Sequence, residues 1–304
     1  MKVLLTGATG LLGYSVVNHL VKMGFEVIAT YHRSRSLLDL NHVTWIEVNL
    51  ENGQKTVELV RSTKPDVIIH AAAYTDVDGC ESDKDKAFRI NYQATKAIAQ
   101  IASKTKTYLV YVSTDYVFDG EKGMYKENDI PYPVNYYGLT KLLGEIVVQS
   151  LLPSSSLIIR TSGLYGYSPT GKKNFGIVAL EKLLRKEEVL AFKDQYLSPT
   201  YTYYFAKELI KIVEEGVTGL LHLAGERLSR YEFAVTLART IGVSNSLVKP
   251  VSLNDVRLVA KRPRDSSLDV SKAKSMGFSL PPVTDCVTHF IENYRKLHGT
   301  SNAL

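Results

Sequence analysis

The stretch LLTGATGLLGYS, residues 4–15, decides the fold. It continues the apolar run Val3-Leu4-Leu5 and sets Gly7, Gly10 and Gly13 three residues apart. The run reads as a buried strand, and LLGYSVVNHLVKMG behind it reads as a helix. In that strand–loop–helix order a backbone can cradle a phosphate. Gly7 suits a turn barred to residues with a Cβ. Gly10 lets a pyrophosphate approach the helix N-terminus, where unpaired N–H groups and the helix dipole favour an anion. Gly13 lets the helix pack close to the sheet. A tight turn with no ligand would use the same residues, so the loop alone leaves the choice open.

Outward from that loop, strands and helices alternate. EVIATY, VTWIEVNL, DVIIHAAA, YLVYVST and SLIIRTSGLYG read as strands. GQKTVELVRSTKP, DKAFRINYQATKAIAQIASKT and YGLTKLLGEIVVQS read as helices. The strands are continuous apolar runs, which suggests cover on both faces. This order predicts an α/β fold, a doubly wound parallel sheet of the Rossmann type. The second half is less regular. KNFGIVALEKLLRKEE, SRYEFAVTLARTIG and VTDCVTHFIENYRKLHG look helical, and GLLHLAG looks like a short strand. The expected division is a dinucleotide-binding domain over 1–165 and a smaller C-terminal α/β substrate lobe over 166–304, with segments around 195–225 as candidates to return to the first.

A chain of 304 residues is long for one compact core and short for two independent domains, which fits a domain with a lobe grown from it. With 45% hydrophobic and 22% charged residues it has ample material for a core. No apolar run is long enough for a transmembrane helix, and Met1-Lys2 leads straight into a strand rather than a signal peptide. Cys80 and Cys286 have no metal-like spacing, so a reducing, cytoplasmic setting is expected and no metal site is. The net charge of +6 suits either a solvated basic surface or a small anionic ligand. KRPR at 261–264 is the one tight basic cluster, too short to suggest nucleic acid.

The chemistry is carried by YGLTK. Tyr137 and Lys141, four apart on a helix, share a face. An ammonium there would favour the tyrosinate and lower the Tyr137 pKa. STDYVFDG, residues 113–120, closes a strand at the carboxyl edge where α/β sheets bind ligands, and Thr114 there can bond a substrate carbonyl. Asn91 in RINYQAT can anchor a water or backbone group that supports the lysine.

The GxxGxxG spacing with Thr114, Tyr137 and Lys141 resembles the extended short-chain dehydrogenase/reductases. STDYVFDG, DQYLSPTY, PTYTYYFAKEL and RPRDSSLDVSKAKSMGF resemble segments of the dTDP-4-dehydrorhamnose reductases, and the likeness covers nearly the whole chain. The resemblance implies catalytic roles for Thr114, Tyr137, Lys141 and Asn91. It implies cofactor contacts at Gly7, Thr9, Gly10, Leu11, Leu12 and Gly13, at Tyr31, His32 and Arg33, at Asn49 and Leu50, at Ala71, Ala72 and Ala73, and again at Tyr137 and Lys141. Substrate contacts are implied at Thr75, Asp115, Val117 and Arg262. His70 reads as a packed core residue rather than an acid or base.

Two departures matter. Bacterial members of the family commonly carry an acid after the third glycine that contributes to a metal-bridged dimer; Tyr14-Ser15-Val16 stands there, so no metal is expected. The second strand ends in ATYHRSRS without an acid. A carboxylate at that point would repel a 2′-phosphate, whereas Arg33 or Arg35 can pair with one, so NADP(H) is the expected cofactor and NAD(H) the second choice. The implied reaction is NADPH-dependent reduction of the 4-keto group of a nucleotide-linked deoxysugar, dTDP-4-dehydrorhamnose to dTDP-rhamnose. Two alternatives stay open: a non-catalytic, cofactor-binding regulatory subunit of the methionine adenosyltransferase type, and another sugar-nucleotide enzyme of the superfamily. A dehydratase would want a Glu beside Asp115, and none is there. The expected partner is a nucleotide sugar, with neither nucleic acid nor membrane, and a homodimer is an open option.

Overall fold

The computed structural model describes residues 1–32, 42–168 and 170–298. Six strands come first: β1 (Lys2–Thr6), β2 (Glu26–Tyr31), β3 (Val43–Glu47), β4 (Val67–His70), β5 (Tyr108–Thr114) and β6 (Ser156–Thr161). Short strands follow, β7 (Leu164–Tyr165), β8 (Val189–Phe192), β9 (Tyr196–Leu197) and β10 (Thr200–Tyr201), then β11 (Gly219–His222), β12 (Leu228–Ser229) and β13 (Val248–Val251). The central sheet has seven strands in the order β11-β6-β5-β4-β1-β2-β3. Every neighbouring pair in it is parallel. The expected doubly wound sheet is therefore present, and its order reverses between β1 and β4.

Helices α1 (Leu11–Lys22), α2 (Gly53–Thr63), α3 (Val77–Ser82), α4 (Lys84–Ala87), α5 (Ala94–Thr105) and α6 (Tyr136–Leu151) belong to the first half. The second half holds α7 (Phe175–Leu184), α8 (Thr202–Glu214), α9 (Arg230–Thr240), α10 (Ser271–Ser275) and α11 (Val283–Leu297). The continuous apolar strands follow from helices on both faces. Val3 and Leu5 of β1 pack with Val16 and Leu20 of α1 and Phe205 and Leu209 of α8. Leu4, between them, points the other way and packs with Leu59 of α2, Ile98 of α5 and Val148 of α6. A second core joins Leu180 of α7, Val189 of β8, Phe233 and Leu237 of α9 and Phe290 of α11. That core forms the smaller lobe. The β11 strand pairs with β6, so this part of the second half sits at the edge of the main sheet.

Three local features differ from the sequence expectation. Residues 85–105 are not one α-helix: Phe88–Gln93 widen into a π-helical turn between α4 and α5. The run SLIIRTSGLYG is not one strand. Gly163, at φ +52, turns the chain after β6, and β7 pairs with β10 instead. Residues 202–214 form a helix, α8, that tyrosine-rich sequence did not suggest.

Candidate cofactor and reduction site

A cavity of about 740 Å³ opens at the carboxyl ends of the strands, beside the point where strand order reverses. The glycine loop forms its wall, and its three glycines do different things. Gly7 has φ +71, and a Cβ there would lie 2.8 Å from Ala72 Cα. A Cβ on Gly13 would lie 2.1 Å from the Gly7 carbonyl oxygen. A Cβ on Gly10 would meet only that oxygen, at 3.1 Å, and would otherwise project into open space. Gly10 is the N-cap of α1; no side chain caps it, and the first turn has no acid. Gly10 therefore fits the approach of an anion, while Gly7 and Gly13 serve the turn and the packing.

The remaining wall gathers residues far apart in sequence. Thr9, Leu11 and Leu12 flank the loop; Tyr31 ends β2 and His32 follows it; Asn49 and Leu50 follow β3; Ala71, Ala72 and Ala73 follow β4. Arg33 lies outside the described residues. His70 bridges Thr6 Oγ1 at 2.7 Å and Thr95 Oγ1 at 3.0 Å, and burial pulls its pKa down to about 3. It is a neutral core residue whose Thr6 partner accepts from the Ala72 backbone N–H at 3.3 Å.

At the deep end, α6 brings in Tyr137 and Lys141. Asn135 caps this helix, accepting from Gly138 N at 2.9 Å while its amide donates to the Lys261 carbonyl at 2.9 Å. Gly138 is needed because a Cβ there would lie 2.0 Å from the Tyr116 carbonyl oxygen. Thr114, last in β5, accepts from Tyr116 N at 3.2 Å and lies beside the Tyr137 hydroxyl, whose pKa it lowers. Its single hydroxyl proton is directed at Asp115 Oδ1, 3.1 Å away. Burial raises the Tyr137 pKa above the ordinary tyrosine value, and Thr114 opposes that.

Lys141 is buried, donates to the Val112 carbonyl at 2.7 Å and lies 4.0 Å over the Tyr111 ring. Desolvation pulls its pKa down to about 7, with the Glu145 carboxylate opposing. The expected lowering of the Tyr137 pKa by Lys141 is not seen: the ammonium is turned to Val112, and burial dominates the tyrosine. Asn91, in the π-helical turn, is fully used. Its Oδ1 accepts from Tyr74 N at 2.7 Å, and its amide donates to Tyr74 O and Thr140 Oγ1, each at 3.1 Å. It ties the segment after β4 to the residue before Lys141 rather than lining the cavity.

Two expected substrate contacts are placed elsewhere. Val117 is buried in a small cluster with Phe118, Tyr125 and Leu268. The Arg262 guanidinium grips Asp78, with Nη1–Oδ1 at 3.0 Å and Nη2–Oδ2 at 2.8 Å. Thr75 does line the cavity and accepts from Lys172 Nζ at 2.8 Å. Asp115 lines it too, buried, with its pKa raised to about 6 by desolvation against three hydroxyl bonds. Sequence reading missed the cavity's outer end: Lys172, Lys173, Phe175, Gln195 and Arg230. The Arg230 guanidinium lies 5.0 Å over the Phe175 ring and donates to Gln195 Oε1 at 2.6 Å. The adjacent lysines before Phe175 were the available signal, but the lobe's placement, not its composition, brings them here.

The cavity joins an anion-receiving helix start, a hydroxyl pair and a buried lysine, and it has a cationic, aromatic outer end. Those features fit a dinucleotide beside a second, anionic ligand. Among the described residues no group of three His, Cys, Asp or Glu side chains could hold a metal ion, and no helix is long and apolar enough to cross a membrane.

The sequence profile described as "RmlD substrate binding domain" matches residues 1–296. The chain is 34% identical to dTDP-4-dehydrorhamnose reductase from Aggregatibacter actinomycetemcomitans, over 92% of this chain and 94% of that protein. It is 30% identical to methionine adenosyltransferase 2 subunit beta from Rattus norvegicus, over 91% of this chain and 82% of that one. It superposes on the dTDP-4-dehydrorhamnose reductase of Bacillus anthracis str. Ames, solved in complex with NADP, with a TM-score of 0.83 at 30% identity, over 96% of this chain and 99% of that one. With a glycine loop and a Thr–Tyr–Lys set at one cavity and that profile along nearly its whole length, the chain belongs to the dTDP-4-dehydrorhamnose reductase (RmlD) family of extended short-chain dehydrogenase/reductases.

Proposed function

We propose that this chain reduces the 4-keto group of a nucleotide-linked deoxysugar with NADPH, as in the conversion of dTDP-4-dehydrorhamnose to dTDP-rhamnose. The observation that carries the reading is the Tyr137–Thr114 hydroxyl pair, with Lys141, at the deep end of the cavity that begins at Gly10. When bound, the reduced nicotinamide supplies the hydride. The N–H groups at the start of α1 receive the pyrophosphate, and Arg33 is the proposed contact for a 2′-phosphate. Tyr137 gives its proton to the ketone oxygen, and Thr114 holds that hydroxyl in place. Lys141 supplies positive charge beside the tyrosine, and Asn91 steadies the helix turn that carries the lysine. Lys172, Lys173 and Arg230 suit the diphosphate end of the substrate, with Phe175 as an apolar surface beside them.

The proposed division assigns 1–165, completed by the returning β11, to the cofactor, and most of the remainder to the substrate. Both cysteines are free, in keeping with a proposed cytoplasmic location, and a homodimer is the proposed assembly. The test is absorbance loss on mixing the protein with NADPH and dTDP-4-dehydrorhamnose. Wild type is expected to oxidise NADPH; Tyr137→Phe is expected to lose at least about a hundredfold in turnover with dinucleotide affinity nearly unchanged. A Phe variant at wild-type rate sinks the assignment. The relative named as a methionine adenosyltransferase subunit sustains a second, regulatory reading. Stable complex formation with a methionine adenosyltransferase, without ketone reduction, would favour it.

A further inference from the structure

Asp115 is one residue beyond Thr114, and the reduction as described leaves it without a task. It is buried, lines the cavity and touches three hydroxyls. Ser162 Oγ, 2.8 Å away, and Ser266 Oγ, 2.5 Å away, both donate to Oδ2. Ser162 is held in that role because its oxygen accepts from Ser198 N at 3.1 Å. Among the described residues, Oδ1 has one side-chain partner, the Thr114 hydroxyl at 3.1 Å. The carboxylate is thus asymmetric. One oxygen is saturated by donors, and the other takes the proton of the threonine that lies beside Tyr137.

We propose that Asp115 is a proton reservoir for the reduction, recharging Tyr137 through the Thr114 hydroxyl. The inference rests on the reductase reading above. As hydride reaches the carbonyl carbon, the C–O π electrons take the proton of Tyr137. The tyrosine oxygen takes the proton of Thr114, and Thr114 takes the proton held on Asp115 Oδ1. Each oxygen in the chain loses one proton and gains one, except Asp115, which is left as a carboxylate and regains a proton from water through the cavity. The end state has Tyr137 donating to Thr114 and Thr114 donating to Asp115; the second of these is the bond seen here, in the direction an ionised carboxylate imposes. A threonine whose proton is committed to Asp115 cannot also donate to the ketone, so Thr114 works as a relay between two acids.

The raised Asp115 pKa, about 6 from burial, keeps such a reservoir partly filled below neutrality. The ionisable groups facing it are few. Tyr116 adjoins it and Tyr137 comes from α6, both with pKa raised chiefly by burial. From the segment carrying Ser266, Asp265 is engaged by Arg227 and by Ser267. Lys141 and Asn91 are engaged elsewhere: the lysine donates to Val112 and the amide to Tyr74 and Thr140.

The test compares wild type with Asp115→Asn, Thr114→Val and Thr114→Ser. Asparagine preserves shape and the two serine bonds but has no transferable proton. Turnover of NADPH with dTDP-4-dehydrorhamnose is followed from pH 5 to 9. Asp115→Asn is expected to lower kcat at least about tenfold, with KM and NADPH affinity within about twofold, and to erase the limb of the pH profile near 6. Thr114→Val should behave alike, and Thr114→Ser should restore most of the rate. In the infrared, wild type should show a protonated-carboxyl band titrating near 6 that Asp115→Asn lacks. Absence of that band at pH 5, or an Asp115→Asn enzyme with wild-type kcat and an unchanged profile, overturns the relay. A wild type that binds NADPH but reduces no nucleotide-linked ketosugar overturns the proposed function instead, and the infrared arm still decides whether Asp115 holds a proton.

Discussion

Lys141 is a lysine that burial leaves about half charged at neutral pH. Its pKa falls to about 7 because its ammonium has lost water and gained only one carbonyl, the Tyr111 ring face and a distant carboxylate. An anionic dinucleotide beside it favours the charged form and raises that pKa again. Binding of NADPH above pH 7 should therefore draw a proton from solution. At pH 8, where the lysine starts mostly neutral, uptake should approach one proton; at pH 6, where it starts charged, uptake should be near zero. Calorimetric titrations in buffers of different ionisation enthalpy measure this directly. Lys141→Met should bind without the buffer dependence. Equal enthalpies in all buffers for the wild type would show that the lysine does not change charge on binding.

Among the elements, the turn from β1 to α1 divides one motif into separable roles. Valine at Gly10 has room in the backbone, since its Cβ meets only the Gly7 oxygen at 3.1 Å, but its methyls would fill the cavity beside the helix start. Alanine at Gly13 would put a Cβ 2.1 Å from the same oxygen, which is backbone and cannot swing away. Gly10→Val is expected to keep a native circular dichroism spectrum and lose at least about tenfold in NADPH affinity, roughly one charge-assisted contact. Gly13→Ala should show a lower thermal midpoint, and its binding loss should follow the loss of fold. A folded Gly10→Val with unchanged affinity would rule out the loop as a binding site. Much of this scale was legible beforehand. Strands covered on both faces stay apolar along their length, and β2 and β5 fall where the apolar runs are. The π-helical turn around Asn91 was not legible, because it depends on the side chain reaching the Tyr74 backbone across 17 residues of sequence. Arg262 misled for a related reason: its partner Asp78 is 184 residues away, and no local pattern announces it.

Across the whole molecule, the second half is tied to the first beside a buried charge pair. Arg160 in β6 meets Glu145 in α6 through two bonds, Nε–Oε1 at 2.9 Å and Nη2–Oε2 at 2.6 Å. Its Nη1 reaches His222 Nε2 of β11 at 3.3 Å, and its guanidinium lies 5.0 Å from the Phe118 ring. Burial, with Arg160 beside it, pulls the His222 pKa down to about 3, so the ring is a neutral acceptor and adds no second positive charge. The helix that carries Tyr137 and Lys141, the strand after it and the strand returning from the second half therefore share one desolvated network. Truncating Arg160 alone leaves a carboxylate buried without a partner, which costs about 3–5 kcal/mol; an apolar pair in place of both charges is often neutral or stabilising. Arg160→Met should accordingly shift the urea midpoint down sharply. Arg160→Met with Glu145→Met should recover most of the loss, since shape is roughly kept and no lone charge remains. If the double variant unfolds as early as the single, the pair is required as charges rather than as packing beside the strand that returns from the second half.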